Sequence, residues 1–311
     1  MMMEKGSKIY IAGHKGLVGS AITRALVSRG FSNLILKERK ALDLLDQKAV
    51  ALFFEKEKPE YVFLAAAKVG GIMANKTYPA EFIYENLTVQ ENVLENARIN
   101  GVKKLLFLGS SCIYPRLAPQ PIKEEYFMTG ELEPTNRAYA IAKIAGIVTC
   151  QSYNEEYGTN FISVMPTNMY GPNDNFDLEN SHVMPALIRK FHEAKEANKK
   201  ELTLWGTGEA RREFLHVDDF ARAAIFLMHN YNDSEIINVG TGEDATIKQL
   251  ALIIAETTGF SGTIVWDKEK PDGTPRKLLD VLKIHNLGWR HSMRLQEGIE
   301  QTYKWYVKDR K

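Results

Sequence analysis

The sequence predicts an α/β fold, a doubly wound parallel Rossmann-type sheet with a smaller α+β substrate-binding domain. Short apolar segments alternate with longer amphipathic segments through the first half of the chain. A glycine-rich turn joins the first apolar segment to the first amphipathic one. The alternation stops after Pro166, where Asn, Pro and Gly become frequent. Continuous apolar strands indicate a sheet that is covered on both faces.

The predicted elements of the first half follow one another regularly. Strands are predicted at residues 8–12, 33–36, 61–67, 104–110 and 160–165. Helices are predicted at residues 17–29, 46–58, 79–100 and 136–157. Gly30, Gly101 and Gly158 end three of these helices, and Pro59 ends the fourth.

The second half is less regular. Helices are predicted at residues 184–197, 218–230, 246–258 and about 295–307, and strands at 202–205 and 236–240. The apolar run 236–240 resembles a buried strand of the first half, so we expect it to return to the main sheet. We therefore predict a Rossmann domain of residues 1–166 plus about 213–245. Residues 167–212 and about 246–311 would form the substrate-binding domain.

Composition limits the partners of the chain. Its 311 residues include 44% hydrophobic and 25% charged residues, a balance typical of globular proteins. Lys plus Arg number 40 and Asp plus Glu 39, which disfavours broad nucleic-acid binding. No apolar run approaches the length of a membrane span, and no signal peptide is recognisable. Cys112 and Cys150 lack metal or redox spacing, so we expect no metal site and a cytoplasmic location.

The turn after the first strand predicts a dinucleotide site. Gly13, Gly16 and Gly19 allow a tight turn and a close approach of the backbone to a pyrophosphate. The following helix would present free N–H groups to the same anion. The predicted contacts are Gly13, Lys15, Gly16, Leu17, Val18 and Gly19.

The residues after the second strand favour NADP(H) over NAD. Lys37, Arg39 and Lys40, with Lys15 of the glycine turn, suit a ribose 2′-phosphate. Glu38 leaves NAD open, because a carboxylate at this place binds a ribose diol. Asp43 and Leu44 follow closely, and Asp43 could contact the adenine or cap the next helix.

A tyrosine and a lysine share one face of the helix predicted at 136–157. Tyr139 and Lys143 are spaced i, i+4. A lysine ammonium and a nicotinamide cation are expected to lower the pKa of Tyr139, which could then exchange a proton with a carbonyl oxygen. Ser110 ends the fourth strand, where an α/β sheet binds its ligand, and could hold the same oxygen.

This order of motifs resembles the extended short-chain dehydrogenase/reductase family. The similarity includes the alanine run 65–67, the segment PTNMYGP at 166–172 and the segment REFLHVDD at 212–219. The family resemblance implies NADP(H) bound in the Rossmann domain and a nucleotide-sugar substrate. It also implies cofactor contacts from Ser110, Tyr139 and Lys143. Further cofactor contacts are implied at Ala65, Ala66, Leu108, Gly109, Pro166, Thr167, Asn168, Met169 and His182.

A cysteine and a histidine extend the candidate chemistry. Cys112 lies two residues after Ser110, and a thiolate there could remove a proton next to a carbonyl group. His182 precedes a helix and could donate a proton to the opposite face of a sugar ring. A buried inert cysteine and a structural histidine remain open alternatives.

Five longer segments resemble the GDP-L-fucose synthase branch of this family. They are SSCIYP, LEPTNxxYAIAKIAG, SVMPTNMYGPNDNF, NSHVMPALIRKFHEA and PDGTPRKLLD. The resemblance implies a bifunctional enzyme that epimerises GDP-4-keto-6-deoxy-D-mannose at C3 and C5 and then reduces its C4 ketone with NADPH. It assigns epimerisation to Cys112 and His182, and reduction to Ser110, Tyr139 and Lys143. It further implies GDP-sugar contacts from Lys190, Trp205, Arg212 and Asp272.

The same resemblance implies a homodimer built from the helices predicted near 79–100 and 136–157. Two other functions remain possible at this point. One is a different nucleotide-sugar 4-epimerase or 4-reductase of the extended family, which would not need the second acid–base pair. The other is a non-catalytic NADP sensor, which could dispense with Ser110, Tyr139 and Lys143.

Overall fold

The computed structural model describes residues 3–178, 181–270 and 272–309. Two residues at each end of the sequence lie outside the described residues. So do Glu179, Asn180 and Pro271, and the last two begin the segments NSHVMPALIRKFHEA and PDGTPRKLLD. The residues concerned are Met1, Met2, Glu179, Asn180, Pro271, Arg310 and Lys311.

Strands and helices alternate from the start of the described chain. The strands are β1 (Ile9–Ala12), β2 (Leu34–Ile35), β3 (Tyr61–Leu64), β4 (Lys104–Leu108), β5 (Phe161–Pro166), β6 (Asn168–Tyr170), β7 (Glu201–Trp205), β8 (Arg211–His216), β9 (Ile237–Val239), β10 (Asp244–Thr246), β11 (Thr263–Asp267) and β12 (Arg276–Lys277). The helices are α1 (Leu17–Ser28), α2 (Gln47–Glu57), α3 (Ile72–Thr77), α4 (Pro79–Ile99), α5 (Arg137–Tyr157), α6 (Val183–Glu196), α7 (Val217–Asn230), α8 (Ile247–Thr258), α9 (Leu282–Asn286) and α10 (Leu295–Asp309).

The main sheet is parallel and has the order β2-β1-β3-β4-β5-β9. The predicted fold class is therefore confirmed, and so is the return of the 236–240 run, which pairs with β5 as β9. β2 lies on one side of β1 and β3 lies on the other side, so the direction in which strands are added to the sheet reverses at β1. Ligands of open α/β sheets bind at such a reversal, beyond the carboxyl ends of the strands.

A second set of strands lies after β5. β8 pairs with β10, β12 and β6, and β11 pairs with β7. The sequence pattern predicts no element at residues 168–170 or 263–267, where the structure has β6 and β11. Both strands are short, and their partners lie tens of residues away in the sequence. Distant pairing partners override weak local strand propensity in such segments.

The buried apolar residues form two clusters. The larger one covers both faces of the main sheet. The smaller one includes residues of α6, α8 and α10. The predicted domain limit at residues 212 and 213 falls inside β8, where Phe214 belongs to the smaller cluster and Leu215 to the larger. The division into two domains stays a prediction.

Close packing of α5 on β4 determines where the predicted tyrosine and lysine lie. Gly146 of α5 lies against the ring of Phe107 on β4, and a Cβ at this position would collide with that ring. The missing side chain lets α5 approach the strand closely. One turn earlier, Lys143 is therefore brought to the carboxyl end of β4, where its Nζ donates to the Leu108 carbonyl over 2.8 Å.

Candidate active site

A cavity of about 2130 Å³ runs along the carboxyl ends of β1, β3, β4 and β5 and extends toward β7, β8 and β12. All residues predicted to take part in catalysis, cofactor binding or substrate binding lie on its wall. Residues separated by up to 259 positions in the sequence, Gly13 and Asp272, thus border one space.

The glycine turn forms a tight bend at one end of this cavity. Gly13 has a φ of +85°, and its carbonyl accepts a hydrogen bond from the Gly16 N–H over 3.0 Å. Gly19 lies directly against the Gly13 carbonyl, where a Cβ would collide. No side-chain oxygen of the described residues caps α1, which starts after Gly16. The free N–H groups and the close backbone fit a pyrophosphate.

Cations and carboxylates alternate beside this turn. Lys15 Nζ lies 2.5 Å from Glu38 Oε1, and Arg39 Nε lies 3.6 Å from Asp43 Oδ2. The hydrogen bond and charge of Lys15 lower the pKa of Glu38. Lys37 and Lys40 line the cavity as well, and Lys37 Nζ lies 3.5 Å from Glu57 Oε1. Three of the four cations predicted for a ribose 2′-phosphate, Lys15, Lys37 and Arg39, are thus already in contact with a carboxylate. The region fits NADP(H), with Glu38 as a competitor for Lys15.

Ser110, Tyr139 and Lys143 meet at the carboxyl end of β4. The Ser110 hydroxyl accepts a hydrogen bond from the Cys112 N–H over 3.2 Å. Lys143 is only 3% exposed, and its Nζ lies 5.8 Å from the centre of the Tyr139 ring. Burial lowers the pKa of Lys143 to about 8, so the ammonium form still predominates at pH 7.

Burial is the main influence on the pKa of Tyr139. Burial raises its pKa above the ordinary value, and charge on Cys112 raises it further, whereas a hydrogen bond with Ser110 acts in the opposite direction. The lowered pKa expected from the sequence depends on a nicotinamide cation as well as on Lys143, so it stays a prediction for the complex with cofactor. A neutral phenol can protonate a ketone oxygen as that oxygen becomes an alkoxide.

The Cys112 sulfur has two polar neighbours. Asn136 Nδ2 donates to Sγ over 3.2 Å, and Lys277 Nζ lies 3.7 Å from Sγ. The short helical turn Ser111–Ile113 follows β4 and points Cys112 into the same cavity as Tyr139. These contacts argue against the inert buried cysteine that the sequence left open, since Cys112 is only partly buried.

His182 borders the cavity immediately before α6. Desolvation by the surrounding protein and the charge of Lys277 lower its pKa. The imidazole is therefore mostly neutral at pH 7 and would release a proton readily once protonated.

The predicted substrate residues line the far end of the cavity. Trp205 is 57% exposed, and Lys190 Nζ lies 5.4 Å from the centre of its ring. Arg212 donates to the Arg211 carbonyl over 2.8 Å, which orients its guanidinium. Asp272 accepts from both the backbone N–H and the hydroxyl of Thr207, each over 2.7 Å. The carboxylate therefore orders the turn after Trp205 as well as facing the cavity.

Sequence reasoning missed Asn136 and Lys277. Both were inside quoted segments, LEPTNxxYAIAKIAG and PDGTPRKLLD, but neither was singled out. Their contact with Cys112 joins residues 24 and 165 positions away. Spacing gives no signal for such a contact, and only the family segments pointed to these places.

Comparisons with known proteins identify the family of the chain. The sequence model of the NAD dependent epimerase/dehydratase family matches residues 9–240. The chain belongs to that family. "GDP-L-fucose synthase 1" of Arabidopsis thaliana is 58% identical over 99% of this chain and 95% of its own length. "GDP-L-fucose synthase" of Escherichia coli is 54% identical over 97% of both chains.

Among solved structures, this epimerase/dehydratase family member is similar to a "GDP-mannoheptose C4 reductase from Campylobacter jejuni with NADP bound". The two share 47% sequence identity at a TM-score of 0.91, over 98% of this chain and 99% of the other. The similarity therefore covers both the main sheet and the region that carries Trp205, Arg212 and Asp272.

Proposed function

We propose that this protein converts GDP-4-keto-6-deoxy-D-mannose to GDP-L-fucose by epimerisation at C3 and C5 followed by NADPH-dependent reduction at C4. Two near-full-length relatives at 54–58% identity carry the name GDP-L-fucose synthase. A similar solved structure contains NADP, which supports the cofactor. The glycine turn and the cations near Glu38 fit that cofactor, as described above.

One observation carries this proposal. The cavity unites Ser110, Tyr139 and Lys143 with a second pair, Cys112 and His182. The first set is sufficient for reduction of a ketone. A plain reductase has no use for a second acid–base pair, whereas an epimerase–reductase needs both sets.

The second pair suits inversion at two carbons. C3 and C5 both flank the C4 ketone, so loss of a proton from either gives an enolate on the same oxygen. The Cys112 thiolate would accept the proton on one face, and the His182 imidazolium would return a proton on the other. Ser110 and Tyr139 would stabilise the enolate oxygen by hydrogen bonding.

The first set then serves the reduction. Bound NADPH supplies the hydride for C4. Tyr139 donates its phenolic proton to the C4 oxygen, and Ser110 holds that oxygen in place. Lys143 adds a positive charge next to Tyr139, which stabilises the phenolate left after proton donation.

We propose that the GDP portion lies at the end of the cavity formed by Lys190, Trp205, Arg212 and Asp272. The Arg212 guanidinium suits bidentate contact with the diphosphate. Trp205 offers an exposed aromatic face for stacking, and the neighbouring Lys190 adds positive charge.

We also propose a cytoplasmic homodimer. Both cysteines are unpaired, as reducing conditions would keep them. No helix among the described residues is long and apolar enough to span a membrane. α4 and α5 pack against each other and expose apolar residues, among them Tyr84, Ile141 and Val148. A second copy could cover these residues in a four-helix arrangement.

The decisive experiment mixes the protein with GDP-4-keto-6-deoxy-D-mannose and NADPH and identifies the product by NMR. We expect GDP-L-fucose from the wild type. Cys112→Ser should slow epimerisation by roughly 10²-fold or more, because a hydroxyl is a far weaker base than a thiolate. Cys150→Ala is the matched control, since Cys150 is buried in α5 and does not border the cavity.

Two results would contradict the proposal. A GDP-6-deoxy-hexose that is reduced but not epimerised would identify a 4-reductase, the activity named for the Campylobacter jejuni protein. No NADPH consumption and no change in the sugar would favour the sensor, or a different nucleotide sugar. A sugar inverted at C4 without net NADPH consumption would indicate a 4-epimerase.

A further inference from the structure

Lys277 is a cavity residue without a role in the mechanism above. It lies on β12, which pairs in parallel with β8 so that Lys277 is opposite Arg212 and Arg276 is opposite Arg211. Side chains alternate between the two faces of a strand. Arg211 and Arg276 both contact Asp244, at 2.6 and 2.5 Å, and so share one face. Lys277 and Arg212 take the other face and line the cavity, whose wall Arg276 also reaches.

The ammonium group of Lys277 reaches the Cys112 sulfur at 3.7 Å. Asn136 Nδ2 approaches the same sulfur at 3.2 Å, so two donors converge on Sγ. Both donors can hold the sulfur in place, and one of them is cationic. The Asn136 Oδ1 is buried without a partner among the described residues, so nothing there redirects this amide away from the sulfur.

We propose that Lys277 is a positioning residue that hydrogen-bonds the Cys112 sulfur and keeps a positive charge next to it while Cys112 removes the sugar protons. The proposal rests on the proposed function, in which Cys112 is the base. In the step concerned, the sulfur electron pair forms an S–H bond, the C–H bond breaks, and its electron pair becomes the enolate. Lys277 keeps its own protons throughout and acts through the sulfur.

The same charge acts on the proton donor. Lys277 lowers the pKa of His182, so an imidazolium next to it gives up its proton more readily. One cation therefore contacts the base and also acts on the proton donor. Other titratable groups on the cavity wall include Tyr139, Lys143, Arg276 and the pair Arg116 and Glu133, which are 3.2 Å apart.

The first test measures the alkylation rate of Cys112 by iodoacetamide, without substrate, and follows the modified peptide by mass spectrometry. In Lys277→Met we expect the rate at pH 7 to fall roughly tenfold, since the thiolate is the reactive form. Lys277→Arg should keep most of the wild-type rate. Lys248→Met is the matched control, because Lys248 is an exposed lysine of α8 outside the cavity, and its rate should equal that of the wild type.

A parallel measurement with iodoacetate separates thiolate stabilisation from simple attraction of anions. If Lys277→Met slows only the anionic reagent, the proposal is overturned. An unchanged rate with both reagents overturns it as well. Far-UV circular dichroism of each variant confirms that it is folded, and Lys277→Arg keeps the test valid if the methionine variant is unstable.

The second test follows exchange of the C3 and C5 hydrogens with D₂O separately from NADPH oxidation. Lys277→Met should slow the exchange by roughly tenfold, in step with alkylation. Slower alkylation with no exchange in any variant, including the wild type, would leave the role of Lys277 intact and contradict the proposed function. Normal exchange in Lys277→Met would overturn the inference itself.

Discussion

The two ends of β4 each hold a buried lysine, and the two lysines differ in how completely they are paired. Lys104 begins the strand and donates to the Leu227 carbonyl, the Tyr231 carbonyl and Asn232 Oδ1, at 3.1, 2.5 and 3.0 Å. Lys143 lies at the other end and donates to the Leu108 carbonyl, while it faces the cavity and Tyr139.

Burial affects both lysines in the same way. It lowers the pKa of each to about 8, and both side chains are almost fully inaccessible. A perturbed pKa alone therefore does not distinguish a functional lysine from a structural one. The difference lies in the partners, since three acceptors hold Lys104 in place and the charge of Lys143 is directed at a reactive group.

The largest effect should come from Lys143→Met. We expect NADPH oxidation with the keto-sugar to fall roughly 10²–10⁴-fold, because Tyr139 loses the charge that stabilises its phenolate. The initial rate at 340 nm measures this change, with Lys104→Met as the matched control. Loss of activity in the control but not in Lys143→Met would reverse our assignment of the two lysines.

Lys104→Met should instead affect stability. The Tyr231 carbonyl would lose this donor, whereas the Leu227 carbonyl keeps the Tyr231 N–H and Asn232 Oδ1 keeps the Asn160 amide. We expect the free energy of unfolding at pH 7 to fall by about 2 kcal/mol. Urea denaturation measures this value, with the exposed Lys199→Met as control. An unchanged or increased stability would mean that the cost of burying the charge equals or exceeds the gain from its three hydrogen bonds.

The difference in stability between the wild type and Lys104→Met should change with pH in a definite direction. The folded pKa of Lys104, about 8, lies below the ordinary lysine value. Between these two values the unfolded chain binds more protons, so this group makes the free energy of unfolding rise with pH. The free energy of unfolding of the wild type, relative to that of Lys104→Met, should therefore rise by about 1 kcal/mol per pH unit between pH 8 and 10. If the difference in unfolding free energy between the two proteins stays constant over this range, the lowered pKa of Lys104 is contradicted.

The smallest effect concerns a third lysine, which is exposed. Lys15 pairs with Glu38 at the predicted 2′-phosphate site. Glu38→Gln would leave Lys15 available to the phosphate, and we expect NADPH to bind about threefold more tightly, as is typical of an exposed ion pair. A fluorescence titration of NADPH measures the Kd. Glu125→Gln, which removes an exposed acid paired with Lys123, is the control. Weaker binding in Glu38→Gln would show that Glu38 contacts the ribose instead.

The periodicity of the sequence determined the main sheet and its helices. β1, α1, β4 and α5 were predicted to within one or two residues, because their apolar patterns and terminal glycines are local signals. Local order also brought Ser110, Tyr139 and Lys143 together, since a strand end and one helix face carry them. The bend of the glycine turn could be predicted as well, because it depends only on the local backbone conformation.

Tertiary structure alone decided the other side of the cavity. β6, β8 and β12 have six residues or fewer, and each is defined by partners that are distant in the sequence. The contact of Lys277 with Cys112 and the rise in the Tyr139 pKa both depend on which groups surround a side chain after folding. A sequence pattern specifies which face of an element is apolar. It does not specify which distant charge that element meets, because long-range packing sets the distances on which electrostatic interactions depend.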